Sequence, residues 1–395
     1  MESGRSGGAE ANIKVEEPEL DVVRHHRQFS SHARVVAVLF GSVVVTCLVL
    51  YHSPYPFQFS SESSSSGRLH RDSAAPATTN PPYSPGNKGV GKLKQVLMKA
   101  ATSDKTVIIT TLNAPWAAPN SVFDLFLESF QIGNETMTLL NHVVVVALDA
   151  KAYSRCLAIH PHCHALRTGD IDFSSGEAYF MTADYLKMMW MRIQFLHLVL
   201  KLGFNFIFTD ADVMWFRNPM PHFHRDADFQ IACDYFRGNP SDLGNQPNGG
   251  FNYVKSNNRT IEFYEFWYRS RRTYPGLHDQ DVLNKIKSEA VLGTEKKKKI
   301  GLKMMFLDTS LFGGFCQPSR DLNRVCTMHA NCCYGLESKV HDLKLMLQDW
   351  TKFLSLKPAQ RASHPTSWSV PQSCSLEDFH PPDSSKKKVL QGSNS

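Results

Sequence analysis

The residues of this chain with the clearest chemistry are two aspartates, Asp210 and Asp212, inside the stretch from Phe204 to Pro219. The stretch begins as an apolar run rich in aromatic residues, which is typical of a buried strand, and it ends at a proline. Side chains on extended backbone alternate with a period of two, so both carboxylates are predicted to leave the strand end on one face. Buried carboxylates repel each other unless a cation neutralises their charge. The pair therefore predicts a Mn²⁺ or Mg²⁺ site, which in turn would neutralise a diphosphate.

The Asp-x-Asp spacing alone is weak, because the chain contains three further pairs with it: Asp170 and Asp172, Asp226 and Asp228, and Asp279 and Asp281. The first two pairs follow loop signals rather than an apolar strand, and they are predicted to be solvated loop carboxylates. Asp279 opens a predicted helix, where capping is an alternative to a role in a site. Only Asp210 and Asp212 follow a buried strand.

Composition places the chain among globular proteins. It has 395 residues, of which 42% are apolar and 20% charged, so it can bury a large core. The formal net charge of +6 is modest for this length. Part of the excess lies in two lysine runs, 296–299 and 386–388, which are predicted to be a solvated loop and a tail. The chain is not predicted to bind nucleic acid.

Residues 35–51 contain no charged side chain and are just long enough to span a bilayer as a helix. A cleaved signal peptide is the alternative, but the run starts far from the N-terminus and no small-x-small site follows it directly. Arginines precede the span, so the positive-inside rule places residues 1–34 in the cytosol and the rest of the chain in the lumen. The sequence thus predicts a single-pass type II membrane protein, and the short span favours an early secretory membrane.

Residues 52–103 are rich in serine and proline and are predicted to be an unfolded stalk. Within them, residues 86–93 imitate a phosphate-binding loop, but leucine stands where the metal-binding serine or threonine belongs. The predicted folded domain is 104–355, followed by a C-terminal tail, 356–395. Eight cysteines follow the anchor, an even number that favours disulfides. Residues 156–164 hold two of them among three histidines, and a local disulfide or a zinc site are the alternatives there.

The folded part reads as alternating strands and helices. Predicted strands are Thr106–Thr111, His142–Leu148, Asn205–Phe208, Phe229–Cys233, Met304–Leu307 and one after Asn248. Helices are predicted after Asn120 or Ser121, from Thr182 to about Leu202, and from Asp279. Lys187 and Arg192 lie outside the apolar stripe of the long helix and are predicted to be surface charges or, alternatively, phosphate contacts. This alternation predicts an open α/β sheet, in which the ligand-binding site lies at the carboxyl ends of the strands.

Several motifs occur in one order along residues 105–349: Thr110–Trp116, Asp210 with Asp212, Asn248–Gly250, Asp279–Gln280 and His329–Lys339. In these motifs the chain resembles the plant nucleotide-diphospho-sugar transferase family, which includes cell-wall xylosyl- and arabinosyltransferases. It is more distantly similar to the glycogenin-type transferases. The resemblance implies a GT-A type fold, a Rossmann-like mixed sheet flanked by helices. The spacing from His329 to Lys339 is longer than in the glycogenin-type enzymes.

The resemblance also implies roles for individual residues. Asp210, Asp212 and His329 would bind Mn²⁺ or Mg²⁺, and Gly335 and Lys339 would hold the diphosphate. The nucleotide of a UDP-sugar would contact Thr110, Leu112, Asn113 and Trp116, with the indole ring stacked on the base. The donor sugar would be lined by Asn248, Gly249 and Gly250, together with the catalytic-site residues Asp234, Asp279 and Gln280.

The function that the resemblance implies is a Golgi glycosyltransferase that moves a sugar from a UDP-sugar to a cell-wall glycan or glycoprotein acceptor, with retention of anomeric configuration. A metal ion and a lysine would act where negative charge develops on the departing phosphate. The alternative is a non-catalytic Golgi protein of the same fold that binds a glycan or a partner enzyme. Intact Asp210, Asp212 and His329 favour the enzyme.

Overall fold

The computed structural model describes residues 87–166, 181–293, 300–363 and 367–374 of the chain. These residues all lie in the compact unit that spans Thr78–Ser395. The predicted cytosolic tail and anchor, the first part of the stalk, the Asp170 and Asp172 pair and both lysine runs lie outside the described residues. Within those four ranges, no helix is both long enough and apolar enough to cross a membrane.

The helices, numbered in chain order, are α1 (Asn87–Ala100), α2 (Ala114–Ala117), α3 (Val122–Ile132), α4 (Ala150–Ile159), α5 (Ala183–Lys201), α6 (Asn258–Ser270), α7 (Asp279–Leu292), α8 (Leu336–Ser355) and α9 (Pro358–Ser363). Helix α5 is the predicted long helix. The Thr182 hydroxyl caps its N-terminus by accepting a hydrogen bond from Tyr185 N. Gly203 follows its C-terminus with a φ of 84°, which glycine adopts without strain.

The strands are β1 (Thr106–Leu112), β2 (Val143–Ala147), β3 (Cys163–Ala165), β4 (Asn205–Thr209), β5 (Val213–Trp215), β6 (Phe229–Tyr235), β7 (Gln246–Val254), β8 (Met304–Phe306), β9 (Phe312–Gly314) and β10 (Thr327–His329). Seven of them form one sheet in the order β3-β2-β1-β4-β7-β6-β8. Strand β7 is antiparallel to both its neighbours, and the remaining pairs in this sheet are parallel. The predicted mixed α/β sheet is therefore confirmed.

The sheet is buried on both faces because its strands are apolar on both sides. In β1, Ile108 and Leu112 join one apolar cluster, whereas Val107 and Ile109 join the other. The first cluster includes residues of α3 and α8, and the second includes residues of α1, α5, α6 and α7. Continuous apolar strands such as β2 are what a sheet covered by helices on both faces requires.

A second, three-stranded sheet has the order β5-β10-β9. Strand β10 pairs antiparallel with β5, and His329 lies opposite Val213 in this register. On its other side β10 runs parallel to β9, with His329 opposite Gly314. This small sheet was not predicted, because each of its strands has only three residues. It brings the end of the domain to the residues that follow β4.

The folded region is longer at both ends than the predicted 104–355. Residues 87–100, placed in the stalk by composition, form helix α1, whose Leu93 and Leu97 are buried in the core. Leu93 and Leu97 are four residues apart and therefore lie on one face of the helix, where they can be buried. The serine and proline residues that suggested a stalk lie before this helix. The imitation of a phosphate-binding loop lies largely inside this helix. At the other end, the indole of Trp368 packs at a tilt against the ring of Phe216 and donates a hydrogen bond to Ser319 O.

Three disulfides join six of the eight cysteines: Cys156 to Cys163, Cys316 to Cys332, and Cys333 to Cys374. The first is the local disulfide that the sequence left as an alternative to zinc. Cys233 and Cys326 are buried and free, so the disulfides that the even count favours leave two of the eight cysteines unpaired.

Candidate functional site

Asp210 and Asp212 lie in the turn between β4 and β5, at the carboxyl end of a parallel strand. Strand β4 ends at Thr209, and Val213 N donates a hydrogen bond to Asp210 O at 3.2 Å, which closes the turn. The carboxylates thus come together through a turn and not, as predicted, through the period-two geometry of an extended strand. Asp212 is almost fully buried, whereas Asp210 is half-buried.

His329 reaches this turn through the small sheet. Its position opposite Val213 places the imidazole beside Asp212, and His329 Nε2 lies 3.1 Å from Asp212 Oδ1. Ala330 N also donates a hydrogen bond to Asp212 O at 3.0 Å, which fixes the two segments together. The pairing of β10 with β5 thus brings together two segments that are far apart in the sequence. Nothing in the local sequence of His329 signals this contact.

Asp210, Asp212 and His329 form a group in which one ligand atom of each lies within 4.8 Å of the others. Among the described residues, this is the one group of three or more histidine, cysteine or acidic side chains close enough to hold a metal. Asp212 Oδ1 is buried and accepts no hydrogen bond of ordinary geometry, even from the nearby imidazole. A buried carboxylate oxygen without a donor is costly, and a cation between the three side chains would satisfy it.

Gly250 provides the space for this group. A Cβ atom at position 250 would lie 2.5 Å from His329 Cε1 and 2.6 Å from Asp210 Oδ2. The backbone of Gly250 also accepts a hydrogen bond from Asp210 N at 2.7 Å. Close approach of backbone to the site therefore requires glycine at this position.

Lys339 and Trp116 lie on the other side of Asp212. Lys339 Nζ donates hydrogen bonds to Asp212 Oδ2 at 2.6 Å and to Ala330 O at 2.7 Å. It also lies 5.7 Å from the centre of the Trp116 ring. Lys339 is the fourth residue of α8, and Gly335, with a φ of 83°, directly precedes the helix. The N-terminus of a helix with a lysine beside it suits an anionic group.

Arg192 is part of the site, which sequence reasoning missed. Its guanidinium is buried and donates to Asp210 Oδ1 at 3.0 Å and to Asp279 Oδ2 at 2.6 Å. The assignment as a surface charge is therefore wrong, whereas Lys187 is exposed as predicted and pairs with Asp184. The sequence spacing could have indicated this burial, because Arg192 is three residues after the buried Met189 and lies on the same inner face of α5.

The carboxylates near Arg192 differ in their electrostatics. Burial alone would raise the pKa of Asp279, but Arg192 reverses this effect and lowers the pKa to about 2. Burial raises the pKa of Asp210, and the charge of Asp212 adds to this rise although Arg192 opposes it. Burial likewise works against ionised Asp212, yet Lys339 outweighs it and holds the pKa of Asp212 well below its usual range.

Asp279 does not cap its helix as the alternative role required. The cap is His278, whose side chain accepts a hydrogen bond from Gln280 N. Asp228, predicted to be a solvated loop carboxylate, is also buried, because Arg259 and Asn257 donate to it from the start of α6. Its neighbour Asp226 is exposed, as predicted.

Asp234 is the centre of a hydrogen-bond network at the end of β6. Its Oδ1 accepts from Asn248 Nδ2 and Asn331 Nδ2, both at 2.7 Å, and its Oδ2 accepts from Gln280 Nε2 at 2.8 Å. Gly249 N donates to Gln280 Oε1 at 2.9 Å. The structure therefore brings together the residues predicted to line a donor sugar, and it adds Asn331, which the sequence did not single out.

The remaining predicted nucleotide contacts belong to β1 and the residues after it. Thr110 and Leu112 are fully buried within the strand, and Thr110 Oγ1 has no hydrogen-bond partner. Asn113 is buried and precedes α2, whose Ala114 N donates to Asp149 Oδ2 at 2.7 Å. The roles of these three residues stay predictions.

Residues 138–343 match the family model described as nucleotide-diphospho-sugar transferase. The chain is 54% identical to an uncharacterized protein of Arabidopsis thaliana, over 72% of this chain and 73% of the relative. It is 29% identical to the UDP-galactose:fucoside alpha-3-galactosyltransferase of Dictyostelium discoideum, over 36% of this chain and 24% of that protein. It is 27% identical to the beta-arabinofuranosyltransferase RAY1 of Arabidopsis thaliana, over 36% and 28% of the two chains.

Among solved structures, the apo form of mouse xyloside xylosyltransferase 1 is similar with a TM-score of 0.36 and 14% identity. The match covers 57% of this chain and 98% of that one. This score is low, so the assignment depends on the sequence matches. Because the family model covers more than half of the chain, including Asp210, Asp212 and His329, the chain belongs to the nucleotide-diphospho-sugar transferase family.

Proposed function

We propose that the protein is a glycosyltransferase that moves a sugar from a UDP-sugar to a cell-wall glycan or glycoprotein acceptor with the help of Mn²⁺ or Mg²⁺. The observation that carries the proposal is the convergence of Asp210, Asp212 and His329 within 4.8 Å in a member of this family. The UDP-galactose in the name of one relative and the arabinofuranosyl group in that of another support a nucleotide-sugar donor.

The three side chains fit a divalent cation in two ways. Carboxylate oxygens with one imidazole nitrogen are donors that Mn²⁺ accepts, and Asp212 Oδ1 lacks a hydrogen-bond donor. Charge also fits, because three carboxylates, Asp210, Asp212 and Asp279, lie against two side-chain cations, Arg192 and Lys339, so the site holds one carboxyl group more than these cations can pair. When bound, the cation would offset negative charge on the departing diphosphate.

The chain itself offers a place for the diphosphate and the base. Lys339 and the N-terminus of α8 provide positive charge beside Asp212, and anions bind well at such helix ends. Trp116 lies next to the Lys339 ammonium, where its half-buried ring would stack on the uracil. The nucleotide would thus bind between α2 and the start of α8.

The donor sugar would bind toward Asp234 and Gln280, whose side chains share one hydrogen-bond network with Gly249. Arg192 keeps the Asp279 carboxylate ionised, and negative charge near the reacting carbon stabilises an oxocarbenium-like state. Retention of anomeric configuration belongs to this proposal. The NMR coupling of the product's anomeric proton, compared with that of the donor, tests it, and an inverted product would contradict it.

The experiment that tests the site uses Asp210→Asn and Asp212→Asn, with Asp226→Asn, an exposed aspartate of another Asp-x-Asp pair, as the matched control. Each strand-end variant should lose Mn²⁺-dependent UDP binding in calorimetry, because the amide cannot replace an ionised ligand. The control should bind as the wild type does. Unchanged Mn²⁺-dependent UDP binding in both Asp210→Asn and Asp212→Asn would refute the assignment of the metal site. UDP binding without any release of UDP from a panel of UDP-sugars would favour a non-catalytic binding protein instead.

We also propose that the protein is a single-pass type II Golgi membrane protein whose residues after 51 face the lumen. Three disulfides support an oxidising compartment. Asn134 and Asn258 head glycosylation sequons, and both asparagines are exposed. Endoglycosidase treatment should shift the apparent mass of the wild type but not of a variant with both asparagines changed to glutamine. Digestion of the folded domain by protease added to sealed vesicles would contradict this topology.

A further inference from the structure

Two disulfides meet at adjacent residues of the segment that joins His329 to Lys339. Cys332 is bonded to Cys316, and Cys333 is bonded to Cys374. Residues 330–335 contain no helix or strand. Cys332 also has a φ of 51°, a conformation that residues other than glycine rarely adopt. Such a conformation persists only where the surrounding structure enforces it, and both Cys332 and its neighbour are covalently bonded to other segments.

The first disulfide connects this segment to the Asp234 network. Asn331, the neighbour of Cys332, donates through Nδ2 to Asp234 and accepts through Oδ1 from Cys316 N at 3.2 Å. Its side chain packs so closely on Gly314 that a Cβ atom there would lie 2.3 Å from Asn331 Oδ1. Cys316 and Cys332 therefore hold Asn331 in place from both sides, two residues away from His329.

The second disulfide connects the segment to helix α8. Asp342 of α8 is fully buried and accepts hydrogen bonds from the backbone N of Gln372, Ser373 and Cys374. Cys374 is thus fixed to the helix that carries Lys339, and through its disulfide it fixes Cys333. The segment is thus joined on one side to the loop that follows β9 and on the other, through Cys374, to α8.

We propose that these two disulfides, Cys316–Cys332 and Cys333–Cys374, position His329 and Lys339 to bind the metal and the nucleotide. UDP binding then depends on the oxidised state of the disulfides. The four cysteines are positioning residues, since none contacts the ligand atoms themselves. This inference rests on the proposed function, because it assigns the site to a metal-bound nucleoside diphosphate. In a reducing environment the segment from 330 to 335 relaxes, and the third metal ligand and the lysine lose their fixed separation.

The test compares the full-length wild type with a Cys316→Ser/Cys332→Ser variant and with a Cys156→Ser/Cys163→Ser control. The control removes a disulfide between α4 and β3, at the far edge of the seven-stranded sheet. UDP titrations with Mn²⁺ by calorimetry and melting temperatures without metal or nucleotide are measured for all three. The first variant should bind UDP about 10- to 100-fold more weakly, the range known for the loss of groups that orient metal ligands. The control should bind UDP as tightly as the wild type, even if it melts earlier.

Equal UDP affinity in all three proteins would overturn the inference and leave the disulfides as stabilising bonds. If the first variant does not fold, the wild type is instead reduced stepwise with a phosphine, and the opened pairs are mapped by alkylation and mass spectrometry. UDP affinity should then fall as the Cys316–Cys332 pair opens. Affinity that is kept after this opening, or that follows the Cys156–Cys163 pair, refutes the proposal. A wild type that binds no UDP with Mn²⁺ refutes the proposed function and this inference together.

Discussion

Replacing Arg192 by methionine tests the electrostatics of the site most directly. The change keeps an unbranched side chain, although a shorter and uncharged one, and removes both ion pairs, at 3.0 Å to Asp210 and at 2.6 Å to Asp279. Asp279 is 2% exposed at its side chain and would be left as a buried carboxylate without a cation. We therefore expect a loss of unfolding free energy, although the overall fold should remain.

The structure supports a magnitude for this loss. The pKa of Asp279 lies at about 2 against an ordinary value of 3.8, since Arg192 overcomes the opposing effect of burial. Each unit of pKa is worth about 1.36 kcal/mol, so the pairing contributes on the order of 2 kcal/mol. Breaking a buried ion pair by removing one partner costs about 3–5 kcal/mol. We expect Arg192→Met to lose about 2–5 kcal/mol at pH 7.

The assay is urea unfolding of the wild type, Arg192→Met and Lys187→Met. Lys187 is the matched control because it lies on the same helix, is half exposed and pairs with Asp184 at 3.4 Å. Its loss should cost less than about 0.5 kcal/mol, as for other exposed pairs. Equal stability losses in the two variants would refute the assignment of Arg192 as a buried part of the site.

The pH dependence has a definite sign. A carboxyl whose pKa is lowered on folding stabilises the protein above its unfolded pKa of 3.8, and this stabilisation is lost as the pH falls toward about 2. In Arg192→Met the unpaired Asp279 is destabilising when ionised, so acidification relieves the variant. The difference in unfolding free energy between wild type and variant should therefore shrink as the pH falls, first above about 4 as burial lets Asp279 of the variant take up a proton, and then between about 4 and about 2 as the wild type loses its stabilisation. A difference that stays constant or grows in this range would contradict the reasoning.

Two further predictions concern the metal group and the limits of the domain. Gly250→Ala should abolish Mn²⁺-dependent UDP binding, because its Cβ would lie within 2.6 Å of atoms of two metal ligands. In the control Gly249→Ala, the atom nearest to the new Cβ is 3.3 Å away on a side chain, so this variant should bind UDP within about tenfold of the wild type. Equal UDP binding by both variants would contradict the geometry. Truncation after Ser355 should lower the melting temperature well below that of a chain ending after Cys374, because it removes the segment that Asp342 and a disulfide hold, and equal melting temperatures would contradict this.

The sequence by itself determined the elements with strong periodicity and the place of the two aspartates. The apolar runs of β1, β2 and β4 and the stripe of α5 are local features, so their helices and strands were predictable to within a few residues. Asp210 and Asp212 follow an apolar strand, and this context alone distinguished them from three other Asp-x-Asp pairs. Family resemblance supplied what the local residues could not, namely His329, Gly335 and Lys339.

Only the tertiary structure decided which distant residues complete the site. His329 reaches Asp212 because β10 pairs with β5, and strands of three residues carry too little periodicity to be predicted. Arg192 became part of the site because the inner face of α5 packs where Asp279 begins α7, an encounter between elements far apart in sequence. A sequence pattern indicates which face of a helix or strand is apolar, but not which charged group of another element packs against that face. Contacts across the fold, and not local propensity, set the charge balance of this site.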